Sequence, residues 1–144
     1  MRHFRTSIDI DAPADVVWPV MSDTYRWHEW TPSITSVTRL DGEPFAIGTR
    51  VQIRQPKLPP AIWKVTAIEP GKSFTWESTG PGFRTIGHHV VEPTPTGSRA
   101  TLSISIEGML GGALGWLTAG ITERYITLEA KGLKARSENP DYRA

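Results

Sequence analysis

The chain has 144 residues, 38% hydrophobic and 22% charged, a formal net charge of +1 and no cysteine. This length suits one domain, burying about two-thirds of its unfolded surface, and the balanced charge gives no electrostatic reason to expect nucleic acid or acidic membranes as partners. Without cysteine there are no disulfides, thiolate nucleophiles or cysteine-based zinc sites. Residues 1–6 lack the apolar core of a secretory signal, and the longest uncharged run, between Glu107 and Glu123, falls short of the ~20 apolar residues that span a bilayer. The expectation is a cytoplasmic protein with no transmembrane segment.

Residues 3–11 alternate, with Phe4, Thr6, Ile8 and Ile10 on one side and Arg5, Ser7, Asp9 and Asp11 on the other, which predicts a half-buried strand. Ala12-Pro13-Ala14-Asp15 then opens a short helix, with proline where no donor is needed and an acid at the positive end of the dipole. Val16, Val17, Val20 and Met21 give this helix its apolar face, and Pro19 predicts that it is short, kinked or tightened. A second short helix over 24–30 ends before Pro32, because a residue preceding proline avoids helical backbone angles.

Strand signals then repeat at 34–40, 48–55, 62–68, 73–78, 83–92 and 98–107. The connections, among them Asp41-Gly42, Glu69-Pro70-Gly71-Lys72 and Pro93-Thr94-Pro95-Thr96-Gly97, are short turns that make neighbours antiparallel. A proline-free segment from 111 to 139 closes the chain as one helix, with Leu110, Leu114, Leu117, Ile121, Tyr125 and Leu128 as its inward stripe. Gly111, Gly112, Gly115 and Gly120 each disfavour helix by about 1 kcal/mol relative to alanine, and Gly111 and Gly115 point to close contact with the sheet. The predicted class is α+β, seven antiparallel strands and a long last helix, in one domain over residues 1–139 with a tail at 140–144.

Several stretches resemble the START-like, helix-grip (SRPBCC, Bet v 1-like) superfamily and its polyketide cyclase/dehydrase-like members. They are Ile8-Asp9-Ile10-Asp11-Ala12-Pro13-Ala14-Asp15-Val16-Val17-Trp18, Trp30-Thr31-Pro32, Gly48-Thr49-Arg50-Val51, Glu92-Pro93 with Gly97-Ser98-Arg99-Ala100-Thr101, and Leu133-Lys134 with Glu138. The resemblance implies a seven-stranded sheet wrapped around the C-terminal helix, two short helices between the first two strands, and an internal cavity for apolar ligands. Its members bind lipids, sterols, hormones or polyketides, and a minority catalyse cyclisation or dehydration, so fold alone does not fix function.

Strand alternation, anchored at Pro93 by the family's pattern, turns Thr85, Gly87, His89 and Val91 towards the concave face and leaves His88, Val90 and Glu92 outside. His89 is then a candidate general base or ligand hydrogen-bonder, since a free imidazole titrates near 6.5, or else a satisfied core histidine. Trp63 and Trp76 share strand faces with Val65 and Phe74 and should point inward, as ligand contacts or core packing. Trp30 has two readings, cavity mouth or anchor of the second helix. Gln55 shares the face of Val51 and Ile53, and Tyr125 lies on the helix stripe beside Leu117 and Ile121.

The candidate ligand-binding set is therefore Trp30, Val51, Ile53, Gln55, Trp63, Trp76, His89, Leu117, Ile121 and Tyr125. His89 with Tyr125 or Gln55 is the candidate catalytic pair. Loops 57–60 and 79–82 are placed to flank one opening. No phosphate loop, clustered ligand set or nucleophile motif is present, so neither metal nor cofactor is expected. The leading expectation is a binder of a hydrophobic or aromatic small molecule. A polyketide cyclase or dehydratase-like enzyme and a protein-interaction module are the alternatives, and the sequence leaves monomer or homodimer open.

Overall fold

The computed structural model describes residues 2–42 and 44–139; the expected tail at 140–144 lies outside the described residues. Seven strands form one antiparallel sheet: β1 (Arg2–Ile10), β2 (Ser36–Arg39), β3 (Arg50–Arg54), β4 (Ala61–Glu69), β5 (Ser73–Gly80), β6 (Phe83–Thr94) and β7 (Gly97–Glu107). Between β1 and β2 lie α1 (Ala14–Ser22) and a short 3-10 helix (Thr24–Glu29), and α2 (Gly111–Glu138) follows the sheet. The spatial order is β1-β7-β6-β5-β4-β3-β2. Consecutive strands from β2 to β7 are neighbours because short turns leave them no other place, and β1 closes the far side by pairing with β7. The architecture is the helix-grip fold, a curved sheet packed on a long C-terminal helix.

Pro13 stands one position earlier than expected, as the residue capping α1, where its carbonyl accepts from the amides of Val16 and Val17. Pro19 lies within α1 without ending it. Only one turn precedes this proline, so a single hydrogen bond is lost, and burial of Val17, Val20 and Met21 holds the helix in place. The 3-10 helix buries Trp27, whose indole Nε1 donates to the Met21 carbonyl at 2.9 Å. In β4 a bulge between Val65 and Ala67 shifts the register. Trp63 and Val65 face inward before it, and Ile68 pairs with Phe74 after it.

The main core lies where α1, the 3-10 helix and the C-terminal half of α2 meet the sheet. It includes Val17, Met21, Trp27, Val65, Phe74, Val91, Leu102, Ala130 and Leu133. A second cluster, Phe4, Ile106 and Ile126 with Phe83, Ile104, Leu114 and Ala119 packed on it, holds the N-terminal half of α2 to β1 and β7. Gly132 lets α2 reach the 3-10 helix, since a Cβ there would collide with the Trp30 carbonyl. Gly108, at φ 104°, makes the corner before α2, and a Cβ there would lie 2.7 Å from the Gly82 carbonyl oxygen. The start of α2 is thereby tied to the β5–β6 loop, where the Leu110 amide donates to Gly82 at 2.8 Å.

The inward stripe of α2 needs correction. Leu117 is 71% exposed and Leu110 56%, and Ile121 and Leu128 are only half-buried. The buried row runs instead through Gly111, Gly115, Tyr125, Ile126, Ala130, Leu133 and Ser137. The helix lies against β1 and β7 through its glycines, with Gly115 on the aliphatic stem of Arg2 and Gly111 on the backbone of Ile106. Close approach there turns Leu117 outward. No helix among the described residues is long and apolar enough to cross a membrane.

Candidate functional site

Between the two apolar clusters the concave face of the sheet and α2 do not meet, and a hollow of about 860 Å³ remains. Part of that space runs over the start of β4 to the outward residues Ile62, Lys64, Thr66 and Glu77, so the inner chamber is smaller than the whole. Its mouth lies between Leu58, Pro59 and Pro60 on one loop, Gly80 and Phe83 on the other, and Leu114 of α2. Passing inward, the wall runs along β6 through Thr85 to His89, along β5 through Ser78 to Trp76, and along α2 through Thr118, Thr122, Tyr125 and Ile126 to Glu129. The next inward residues on these elements, Val91, Phe74, Ala130 and Leu133, belong to the packed core. His89 and Glu129 are therefore each the innermost lining residue of their element, at its deep end next to the packed core.

His89 is 4% exposed and enclosed by rings. It stacks on Phe74 at 4.2 Å between centroids and 10° between planes, and meets Trp27 and Trp76 edge-on at 5.3 and 5.4 Å. Its Nδ1 donates to the Phe74 carbonyl at 3.3 Å, which fixes the neutral tautomer and leaves Nε2 as an acceptor. Burial pushes the imidazole down to about 3, opposed by the hydrogen bond to Phe74 and aided by the nearby His88. At neutral pH this ring is uncharged and a weak base, which revises the expectation of a group titrating near 6.5. His88 lies on the opposite face, its Nδ1 2.9 Å from the Thr75 hydroxyl.

Glu129 behaves in the opposite way. Its side chain is half-buried and borders the hollow. Burial pushes the carboxyl up to about 8 and no neighbouring charge offsets it, so it is protonated at neutral pH and acts as a hydrogen-bond donor. The deep end thus presents one neutral acid and one neutral base, each held uncharged by the same desolvation.

Six of the ten expected binding residues line the hollow: Ile53, Gln55, Trp63, Trp76, His89 and Tyr125. Trp63 and Trp76 pack at 5.5 Å between centroids, 33° apart. The Tyr125 hydroxyl donates to the Pro56 carbonyl, bracing the mouth loop on α2. The other four lie elsewhere. Val51 is fully buried in the core beneath the wall. Trp30 packs on Trp27 at 5.4 Å and on Gly132, anchoring the 3-10 helix away from the mouth. Leu117 falls on the outer side of α2 for the reason given above, and the half-buried Ile121 does not line the hollow.

Trp27, Phe74 and Glu129 were not among the candidates. The signal for Glu129 is its spacing of four from Tyr125 and three from Ile126, which puts all three on one helical face; a stripe drawn only through leucines passes it by. Among the described residues no group of three or more His, Asp or Glu is placed to hold a metal ion.

The model of the polyketide cyclase / dehydrase and lipid transport family matches residues 1–138, and the chain belongs to that family. Solved structures agree on the fold. The Zhui aromatase/cyclase from a Streptomyces species superimposes with a TM-score of 0.77 at 16% identity, over 95% of this chain and 93% of that one. A Thermus thermophilus protein gives 0.75 at 20% identity, over 94% and 97%. Ara h 8.0201 gives 0.71 at 14% identity, over 94% and 97%. Among curated proteins no sequence match is found. One scaffold is thus shared by this chain, an aromatase/cyclase and Ara h 8.0201.

Proposed function

We propose that the protein binds a hydrophobic or aromatic small molecule, lipid-like or polyketide-like, in the hollow between the sheet and α2. The supporting observation is the wall itself: Trp27, Trp63, Trp76, Phe83, Ile104, Ile106, Leu114 and Ile126 supply large apolar surfaces, with smaller polar groups such as Gln55, Thr85, Thr118 and Thr122 set between them. Sites for small ligands have this make-up, with volumes of roughly 300–1,000 Å³. Native mass spectrometry of the purified chain, with extraction of any co-purified compound, tests the reading. A retained apolar molecule, or saturable tryptophan quenching by one, supports it. No retained compound and no quenching across an apolar panel would end it.

The catalytic alternative, a polyketide cyclase or dehydratase-like step on His89 with Tyr125 or Gln55, draws support from the family and its aromatase/cyclase relative. Two local facts weigh against that pair. An imidazole near 3 is a poor base at neutral pH, and the Tyr125 hydroxyl already donates to Pro56. Chemical alteration of a polyketide-like compound on incubation, lost in His89→Ala, would reverse this order of preference.

A further inference from the structure

The deep end of the hollow carries two polar groups that the protein itself does not use up. His89 spends Nδ1 on the Phe74 carbonyl and keeps Nε2, and Glu129 makes no hydrogen bond or ion pair with any described residue. Both line the hollow next to the packed core, His89 enclosed by Trp27, Phe74 and Trp76, and Glu129 one residue before the core residue Ala130. An empty pair of this kind is costly, because a buried polar group without a partner loses the hydration it had in the unfolded chain. A guest whose own polar end matches the pair offsets that cost while its apolar body fills the hollow.

We infer that the deep end receives a hydroxyl group of the ligand, which accepts a hydrogen bond from the Glu129 carboxyl and donates one to Nε2 of His89. The ligand class is then a flat or elongated hydrophobic molecule with a phenolic or alcoholic hydroxyl at one end, entering hydroxyl first. A hydroxyl supplies both roles from one small atom pair. An ether or ketone supplies only the acceptor, and an ammonium only donors. Burying an ammonium opposite an ionised Glu129 also demands desolvation of two charges, which their attraction offsets only with full hydrogen bonding. The entry direction follows from where the two groups stand, each next to the packed core and away from the mouth loops.

This inference rests on the binding reading above, and the experiment separates the two. The full chain is titrated by calorimetry with 2-naphthol, 2-methoxynaphthalene and naphthalene, which share a ring system and differ in the donor and acceptor they carry. Each neutral hydrogen bond contributes about fivefold in affinity. 2-Naphthol should therefore bind about fivefold tighter than 2-methoxynaphthalene and about 25-fold tighter than naphthalene. Glu129→Leu and His89→Phe, each verified as folded by circular dichroism, should each cut the 2-naphthol preference over naphthalene, both measured on the same variant, about fivefold. Glu129→Gln, which keeps an N–H donor at the same place, should retain most of it and guards against a fold defect in the leucine variant.

Equal affinity for the three probes, or a preference unchanged in both Glu129→Leu and His89→Phe, overturns the hydroxyl site while leaving apolar binding intact. Tighter binding of 2-naphthylmethylammonium than of 2-naphthol overturns it in favour of a cationic head group. Failure of all three neutral probes to bind overturns the binding reading and this inference with it.

Discussion

Replacing Glu129 by glutamine should abolish a pH dependence of stability that the wild-type fold carries. Burial raises this carboxyl from 4.5 to about 8, so between those values the folded form holds a proton that the unfolded chain has released. Stability therefore falls as pH rises from 4.5, and the loss is complete above about 8. A rise of that size corresponds to ~5 kcal/mol at about 1.36 kcal/mol per unit. Because the carboxyl borders a hollow that can hold water, ~2–4 kcal/mol is the expected size. His89 runs the other way. Burial lowers it from 6.5 to about 3, so the unfolded chain binds the extra proton, and stability present above 6.5 is lost as pH falls towards 3.

The two windows overlap between 4.5 and 6.5, where their slopes oppose. Wild type should be most stable in that interval and weaken on both sides. E129Q should keep the acid-side loss and hold its stability from 6.5 upward. Urea midpoints at half-unit steps from about pH 4 to about pH 8.5, with unchanged m-values, measure both curves. Parallel wild-type and E129Q profiles above pH 6 would show that the fold does not hold this carboxyl protonated, and the desolvation argument would fail with them.

Three further outcomes follow from the packing. Gly120→Ala, with open space around the new methyl, should stabilise by about 0.5–1 kcal/mol, whereas Gly132→Ala should destabilise by about 1–3 kcal/mol because its methyl meets the Trp30 carbonyl; thermal unfolding of the pair reads opposite signs. Leu117→Ser, at an exposed position, should change stability by less than about 0.5 kcal/mol, while Leu133→Ala, 1% exposed, should cost about 2–5 kcal/mol in the same denaturation assay. Trp63→Ala should weaken binding of an apolar probe about tenfold or more in a fluorescence titration, since an indole supplies much of a small ligand's contact area; unchanged affinity would remove Trp63 from the site.

The sheet was legible because strands alternate with a period of two and the turns between them carry glycine and proline. His89 and His88 separate onto opposite faces for that reason alone, as do Trp63 and Trp76 from their neighbours. The site was legible where a strand supplied it and obscured where α2 did. A helical face is read from apolar residues, yet the wall of a hollow is not fully apolar: Thr118, Thr122 and Glu129 face inward, while Leu110 and Leu117 face out. The glycines, which let α2 lie on Arg2 and Ile106, rotate the helix away from its leucine stripe. Of the two readings of Trp30 the sequence could not choose the anchor of the second helix, because its carbonyl contact with Gly132 depends on two elements that lie far apart in sequence.

The pairing of β1 with β7 bears on how the chain emerges from the ribosome. His3 meets Ser105, 102 positions later, and every β1 residue waits for a partner from the last strand. Until residue 107 has been made, β1 has no neighbour in the sheet, and β6 is the open edge of a meander whose concave face still lacks α2. Closing so long a loop is slow, and an unpaired strand edge beside bare aromatic surface invites association with other chains. The six residues of β6 and β7 nearest the final turn pair locally and without delay, so the last hairpin can stand as a template for β1. Yield of soluble protein should therefore respond more to the rate of synthesis across α2 than to changes in the β2–β3 connection.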